Sequence, residues 1–276
     1  MPGVPLVDVG DLTFPIRAAG PADGRPVLLL HGFPQTSFEW RAQLTALGDA
    51  GYRALAPDQR GYTPTARPAD VDAYRMDELI GDVLGIADAL QLGQVDLVGH
   101  DWGGAVAWHV TGRHPERVRT LTVCSTPHPR AMTAAIDSGG PQRTMSAYMQ
   151  VFREQGRAED LLMADDMVRL RRLFDGVEQI EPYVDAFRDR ATLTGALNWY
   201  RAMRRTDSEK TGDVTVPTLY LWGEEDPALG REAAEATASH VTGPYTFVPL
   251  PGIGHWVPET AADTVTTRLL EHLQQS

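Results

Sequence analysis

The residues of this chain that are best suited to chemistry lie at positions 99–104, where the sequence reads GHDWGG. Asp101 stands at the centre of a glycine-x-nucleophile-x-glycine pattern, where a serine is more common. A strand that turns sharply into a helix needs small neighbours, which Gly99, Gly103 and Gly104 provide. Such a turn exposes the Asp101 carboxylate beside the N-terminus of the following helix, which favours negative charge. The alternative interpretation is that Asp101 is no nucleophile but a solvent-facing aspartate in a glycine-rich turn.

Two segments near the end of the chain provide partners for this aspartate. Asp226 follows the apolar run LYLW, with Glu224 and Glu225 as acidic neighbours that compete for the same role. His255 stands in the sequence GIGHW, where glycines shape the approach to it. The resulting chain order is nucleophile, acid and histidine, with Asp101 as the nucleophile, and this is the order of the α/β-hydrolase arrangement.

The choice of an aspartate restricts the chemistry. A carboxylate is already ionised at neutral pH, so Asp101 needs no base before it attacks. The attack produces an ester, and His255 is then available to activate the water that hydrolyses it. The substrate must therefore carry an electrophilic carbon with a leaving group. We find no metal-ligand spacing and no phosphate-binding glycine loop in the sequence, so no cofactor and no metal are predicted.

The predicted elements bring these residues to one edge of a sheet. Short apolar runs alternate with helical patterns, which indicates parallel strands covered on both faces by helices. Asp101, Asp226 and His255 each follow the carboxyl end of a strand, where open α/β sheets carry their sites. The predicted strands are residues 6–9, 12–18, 26–30, 52–57, 95–98, 118–124, 218–222 and 245–250.

The alternation stops after the sixth strand. From residue 130 to residue 213 only helical patterns occur, which predicts a helical cap inserted into the sheet domain. We expect a core domain formed by residues 1–129 and 214–276 and a cap formed by residues 130–213. The predicted cap helices are residues 145–155, 158–163, 165–174, 180–189 and 191–204.

Composition excludes several classes of partner. The formal net charge of −12 over 276 residues argues against nucleic acid and against an anionic membrane surface. No apolar run reaches the 18 residues of a membrane span, and the first residues lack the features of a secretion signal. Cys124 is the only cysteine, which predicts a reducing, cytoplasmic location. Lys210 is the only lysine beside many arginines, which is typical of a bacterial genome of high G+C content. The oligomeric state is not predicted.

The motifs as a set resemble those of a known superfamily. HGFP at residues 31–34, GHDWGG at residues 99–104, Asp226 and GHW at residues 254–256 resemble the α/β-hydrolase superfamily over nearly the whole chain. The resemblance implies the α/β-hydrolase fold, with a mostly parallel eight-stranded sheet and a helical cap. The aspartate nucleophile narrows the resemblance to epoxide hydrolases and to haloalkane and fluoroacetate dehalogenases.

Two cap stretches favour the epoxide hydrolases. LNWYR, which contains Tyr200, and AYMQVF, which contains Tyr148, are similar to the cap motifs that carry the ring-opening tyrosines. The resemblance implies hydrolysis of a small apolar epoxide to a vicinal diol, with both phenols donating to the epoxide oxygen. The alternative interpretation is that each tyrosine is an ordinary aromatic residue packed in the core of the cap.

The backbone N–H groups of Phe33 and Trp102 are predicted to form the oxyanion hole, with the Phe33–Pro34 peptide bond in the cis form. An apolar substrate pocket is also predicted, although several of its members are candidates for cap core. The predicted pocket residues are Phe33, Trp102, Met145, Met149, Phe152, Trp199, Met203, Ile253 and Trp256.

Two other functions stay open at this point. A dehalogenase would use the same Asp101, with the Trp102 indole N–H as a donor to the departing halide. Haloalkane dehalogenases, however, usually have an asparagine where Phe33 stands or a tryptophan in the cap. Fluoroacetate dehalogenases have basic residues beside the nucleophile, where Trp102 stands. The other alternative is a hydrolase-fold binding protein without activity, and the intact set of Asp101, Asp226 and His255 counts against it.

Overall fold

The computed structural model describes residues 5–275, and a single eight-stranded sheet runs through this part of the chain. The strand order is β1-β2-β4-β3-β5-β6-β7-β8, with the first two strands antiparallel and the remaining six parallel. The predicted mostly parallel eight-stranded sheet is thereby confirmed. The strands are β1 Leu6–Val9, β2 Leu12–Ala19, β3 Pro26–Leu30, β4 Arg53–Pro57, β5 Val95–His100, β6 Val118–Cys124, β7 Thr218–Gly223 and β8 Tyr245–Leu250.

The central strands are buried on both faces, which explains their continuous apolar sequences. In β3, Leu28 and Leu30 contribute to the hydrophobic core on one face of the sheet, and Val27 and Leu29 contribute to the core on the other. This alternation follows from the two-residue period of a strand. In β5 all six residues are buried, so the strand that leads to Asp101 is anchored along its length.

Helices cover both faces of the sheet, as predicted. Apolar residues of α2 (Met76–Ala89) and α3 (Trp102–Arg113) pack on one face, and those of α1 (Arg41–Asp49) and α13 (Ala262–Gln274) pack on the other. The helices in the described residues are α1 Arg41–Asp49, α2 Met76–Ala89, α3 Trp102–Arg113, α4 Pro129–Asp137, α5 Pro141–Met145, α6 Tyr148–Arg153, α7 Arg157–Arg171, α8 Glu181–Ala186, α9 Arg190–Ala202, α10 Arg205–Glu209, α11 Arg231–Ala236, α12 Val257–Thr260 and α13 Ala262–Gln274.

Helices α4 to α10 lie between β6 and β7, where the helical insertion was predicted. The predicted helix 145–155 corresponds to the shorter α6, and α4, α5 and α10 were not predicted from the sequence. Helix α7 is interrupted, because Asp165, Asp166 and Met167 have φ values of 51°, 51° and 60°. This left-handed turn separates the two helices that were predicted at residues 158–163 and 165–174. Within residues 5–275, no helix is both long and apolar enough to cross a bilayer.

Candidate active site

Asp101 lies in the sharp turn between β5 and α3. Its backbone has φ 49° and ψ −120°, a region that residues with side chains rarely adopt. The turn requires close backbone contact, since a Cβ on Gly103 would lie 2.0 Å from the carbonyl oxygen of Leu30. The Thr126 hydroxyl donates to the carbonyl oxygen of Asp101 at 2.7 Å and fixes the turn from the β6 side. The strained turn thus holds the carboxylate above the sheet edge.

The structure brings Asp226 and His255 to this carboxylate. His255 Nδ1 lies 2.8 Å from Asp226 Oδ2, and His255 Nε2 lies 3.4 Å from Asp101 Oδ2. The other oxygen of Asp226 accepts from the backbone N–H groups of Ala228 and Leu229, at 2.8 and 3.0 Å. Asp226 is therefore fixed in position to orient the imidazole.

The competing acidic residues do not take this role. Glu224 pairs with Arg231 at 3.0 Å, and Glu225 is exposed at the edge of a cavity. Of the three neighbouring carboxylates, only that of Asp226 is buried and bonded to His255.

The electrostatics of the three residues are coupled. Burial alone would disfavour the imidazolium, but the carboxylates of Asp226 and Asp101 outweigh it and raise the pKa of His255 to about 10. Burial would likewise raise the pKa of Asp101, but its contacts with His255 and the Phe33 amide lower it below its usual value. In the free protein the pair is therefore a carboxylate beside an imidazolium.

A second buried layer supports the histidine from below. The backbone carbonyl of His255 accepts from the Ser125 hydroxyl at 2.7 Å and lies 2.9 Å from His100 Nε2. His100 Nδ1 in turn lies 3.3 Å from a carboxylate oxygen of Glu39, whose pKa burial raises to about 7. The sequence analysis missed these three residues. The position of His100 directly before the nucleophile, inside an apolar strand, was the one available signal.

The two predicted oxyanion donors lie on either side of Asp101. The Phe33 N–H donates to Asp101 Oδ1 at 2.8 Å, and the Phe33–Pro34 peptide bond is cis, as predicted. Trp102 is the first residue of α3, so its backbone N–H belongs to the helix turn whose donors lack intrahelical partners. Gly32 allows the close approach, because a Cβ there would lie 2.4 Å from the Asp101 Cβ.

Two tyrosines of the helical insertion line the same cavities as the nucleophile. Tyr148 begins α6, Tyr200 lies in α9, and their ring centroids are 6.4 Å apart. Phe152 packs edge-on against both rings, at 5.3 and 5.1 Å, and so fixes their separation. Desolvation and the nearby charge of Asp101 raise the pKa of both phenols well above the usual value. Both hydroxyls thus stay protonated and can donate.

Two cavities meet at this site, with volumes of about 380 and 660 Å³. Both are lined by Asp101, Tyr148 and Tyr200, so the nucleophile and the phenols face a common space. The predicted pocket residues that line one of the two cavities are Phe33, Trp102, Met149, Phe152, Met203 and Trp256.

Three predicted pocket residues line neither cavity. Trp199 is buried in the core and donates its indole N–H to the Arg60 carbonyl at 2.8 Å. Met145 packs against Gly230, and Ile253 packs on the core beneath the sheet. All three residues make their contacts away from the two cavities, so their assignment to the pocket was wrong. Among residues 5–275, no group of three or more potential ligands is arranged to bind a metal ion.

Comparisons with known proteins identify the family of this chain. Residues 25–262 match the family model described as alpha/beta hydrolase fold. The chain is 36% identical to the AB hydrolase superfamily protein YfhM of Bacillus subtilis, over 98% of this chain and 97% of that protein. It is 33% identical to epoxide hydrolase A of Mycobacterium tuberculosis, over 97% of this chain and 96% of the relative.

A solved structure gives the same result. The crystal structure of epoxide hydrolase A from Mycobacterium thermoresistibile superposes with a TM-score of 0.88 at 30% identity, covering 99% of this chain and 98% of the other. The chain therefore belongs to the α/β-hydrolase superfamily, on its epoxide hydrolase-like branch.

Proposed function

We propose that this protein hydrolyses a small apolar epoxide to a vicinal diol through an ester on Asp101. The observation that carries the proposal is the position of Tyr148 and Tyr200 across one cavity from Asp101. An epoxide oxygen is a poor leaving group unless it is protonated, and two protonated phenols above the nucleophile provide that proton.

The hydrogen bonds of Asp101 assign its two oxygens different roles. The Phe33 N–H holds Oδ1, while Oδ2 faces His255 Nε2 across 3.4 Å. In the first step Oδ2 attacks an epoxide carbon, the bond from that carbon to the ring oxygen breaks, and this oxygen takes a proton from one of the phenols. Oδ1 becomes the carbonyl oxygen of the ester. It already accepts a hydrogen bond from the Phe33 N–H, which will stabilise the oxyanion of the second step.

Formation of the ester changes the basicity of His255. The charge of Asp101 is gone, so one of the two carboxylates that raise the pKa of the imidazole no longer acts on it. The imidazolium then gives its proton to the tyrosinate that ring opening left behind. The neutral imidazole, oriented by Asp226, is ready to serve as a base.

In the second step the base activates water. His255 takes one proton from the water while the water oxygen attacks Cγ of Asp101, and the resulting oxyanion accepts from the Phe33 and Trp102 N–H groups. The bond from Cγ to Oδ2 then breaks, and the diol oxygen leaves with the proton of the added hydroxyl. The carboxylate, the imidazolium and both phenols are restored.

The division of the chain into core and cap, its cellular location and its partners are part of the same proposal. We infer that residues 130–213 act as a cap that carries the phenols, with residues 1–129 and 214–276 as the core. Cys124 is a free, buried cysteine, which supports the expected cytoplasmic location, and the net charge of −12 supports a small-molecule substrate without nucleic acid or membrane as partner.

An oxygen-labelling experiment tests the mechanism. Excess protein is mixed with 1,2-epoxyoctane in ¹⁸O-water, so that each molecule turns over at most once. We expect the label in the peptide that contains Asp101 and unlabelled diol, because the first diol takes its oxygen from the carboxylate. Label in the first diol would contradict the ester mechanism, and absence of diol would contradict the proposed activity. Asp101→Asn is the matched inactive control.

A further inference from the structure

The smaller of the two cavities runs along one side of α3. Asp101, Ala105 and His109 all line it, and their spacing of four residues places them on the same side of the helix. With a rise of 1.5 Å per residue, His109 lies about 12 Å along the helix from the nucleophile. The cavity therefore extends from the reacting carboxylate to an imidazole at its far end.

The hydrogen bonds of His109 determine which ring nitrogen carries the proton. Its Nδ1 lies 3.2 Å from Nη2 of Arg113 and also contacts the hydroxyl of Thr211. A guanidinium can only donate, so Nδ1 must accept, and a neutral ring then carries its proton on Nε2. Both contacts lie on the Nδ1 side of a ring that is only 4% exposed. The opposite edge, with the Nε2–H, is left to line the cavity.

The ring is also held in its neutral form. Burial, followed by the positive charge of Arg113 and the influence of His128, lowers the pKa of His109 to about 3. His109 is therefore an uncharged donor at neutral pH.

The cavity that holds this donor has a largely apolar lining, and each of its three arginines, Arg153, Arg204 and Arg205, has a partner. The apolar residues of the lining include Met132, Ile136, Met149 and Met203. At the rim, Arg205 pairs with Asp137 and Arg204 lies 3.6 Å from Asp72. A neutral acceptor oxygen on an apolar chain matches such a channel.

We propose that the far end of this cavity is a binding subsite for an uncharged hydrogen-bond-accepting oxygen, which accepts from the Nε2–H of His109. The proposal rests on the proposed epoxide hydrolysis and names its substrate class. The favoured substrate is an elongated apolar epoxide with an ether or carbonyl oxygen about 12 Å from the reacting carbon. At ~1.2 Å per bond of an extended chain, this oxygen and the reacting carbon are separated by about ten bonds.

Two non-reactive diols of equal chain length test the subsite without turnover. One carries an ether oxygen ten bonds from the diol carbon and the other is a plain alkyl chain. Calorimetry gives the Kd of each diol with the wild-type protein and with His109→Phe. We expect the ratio of the alkyl Kd to the ether Kd to fall roughly tenfold in His109→Phe, because the ether oxygen then enters a dry cavity without a donor.

Control variants separate the donor from general effects of substitution. His114→Phe makes the same change at the half-exposed end of the same helix, outside the cavity, and should leave the ratio unchanged. His109→Gln keeps an N–H donor. Its ratio of the alkyl Kd to the ether Kd should therefore stay closer to the wild-type ratio than that of His109→Phe. A ratio that changes less than twofold in His109→Phe overturns the subsite.

A second readout needs no variant. In wild-type protein with ¹⁵N-labelled histidine, we expect the ether diol to shift one protonated Nε2 resonance that the alkyl diol leaves in place, and identical spectra would overturn the proposal. Hydrolysis of the two matching epoxides is followed in parallel. If neither is hydrolysed, the proposed function fails, while the binding comparison still decides the subsite.

Discussion

Removal of the hydroxyl groups of Tyr148 and Tyr200 is the perturbation that tests the proposed chemistry most directly. Tyr148→Phe and Tyr200→Phe each delete one donor and keep the ring. The rings pack against Phe152, and the Tyr200 ring also packs on Phe33 and Trp102, so the packing of the site is preserved. Any change in rate then reports the hydroxyl groups.

The structure sets the expected size of the effect. With one phenol left, the developing alkoxide still has a donor, so each single variant should slow ester formation about ten- to a hundredfold, the range for a hydrogen bond to a charged group. With both removed, the alkoxide is unpaired in a dry cavity. Loss of an oxyanion donor costs about 2.7–4 kcal/mol there, so the double variant should be slower by about a thousandfold or more.

Stopped-flow fluorescence measures this step. The Trp102 ring lies 5.0 Å from the Tyr200 ring and follows Asp101 in sequence, so its emission should change when the ester forms. Tyr183→Phe is the matched control, because Tyr183 is a buried tyrosine of the insertion that lines neither cavity. An alkylation rate of the double variant within about threefold of the parent would refute the role of the phenols and favour halide-type chemistry.

Three further outcomes follow from the catalytic residues. His255→Gln should still form the ester and then stop, so that mass spectrometry of the intact protein finds an adduct on the peptide of Asp101; an unmodified protein after substrate exposure would contradict this. Asp226→Asn should keep the fold and lose most activity, whereas Glu224→Gln and Glu225→Gln should stay active in the same diol-release assay. Since folding raises the pKa of His255 from 6.5 to about 10, its contribution to stability is fully present below pH 6.5 and is lost between pH 6.5 and 10. Urea unfolding should therefore show the wild type losing up to about 5 kcal/mol over this range relative to His255→Gln, and parallel pH profiles would contradict the assigned pKa.

The parts of the fold that could be predicted are those with a local signal. Strands β3, β5 and β7 are short apolar runs, and α2 has apolar residues at helical spacing, so the order of elements followed from periodicity. The glycines around Asp101 marked the turn, because few other sequences allow such close backbone contact. Helices α4, α5 and α10 were missed because their buried residues are small or polar and give no apolar periodicity.

The parts that could not be predicted depend on which side of an element a residue faces. Trp199 and Tyr200 are adjacent and both aromatic, yet Trp199 points into the core and Tyr200 into the cavities. Helix α9 is buried on nearly all sides, so the spacing of its apolar residues does not show which of them face the core and which face the cavities. Glu39 is another example, because its proximity to His100 joins two segments far apart in the chain. Such a pair becomes visible only once the sheet is assembled.

The strained backbone of Asp101 leads to a prediction about how activity responds to heat. A positive φ at a residue with a side chain costs about 1–3 kcal/mol, out of the roughly 5–15 kcal/mol by which a folded domain is stable. The turn is maintained only by its neighbours, among them the close packing of Gly103 on β3 and the hydrogen bond from Thr126. When these contacts loosen, the turn relaxes and the carboxylate moves away from His255. Thermal inactivation should thus begin below the melting temperature, with the nucleophile leaving its position while the sheet is still intact.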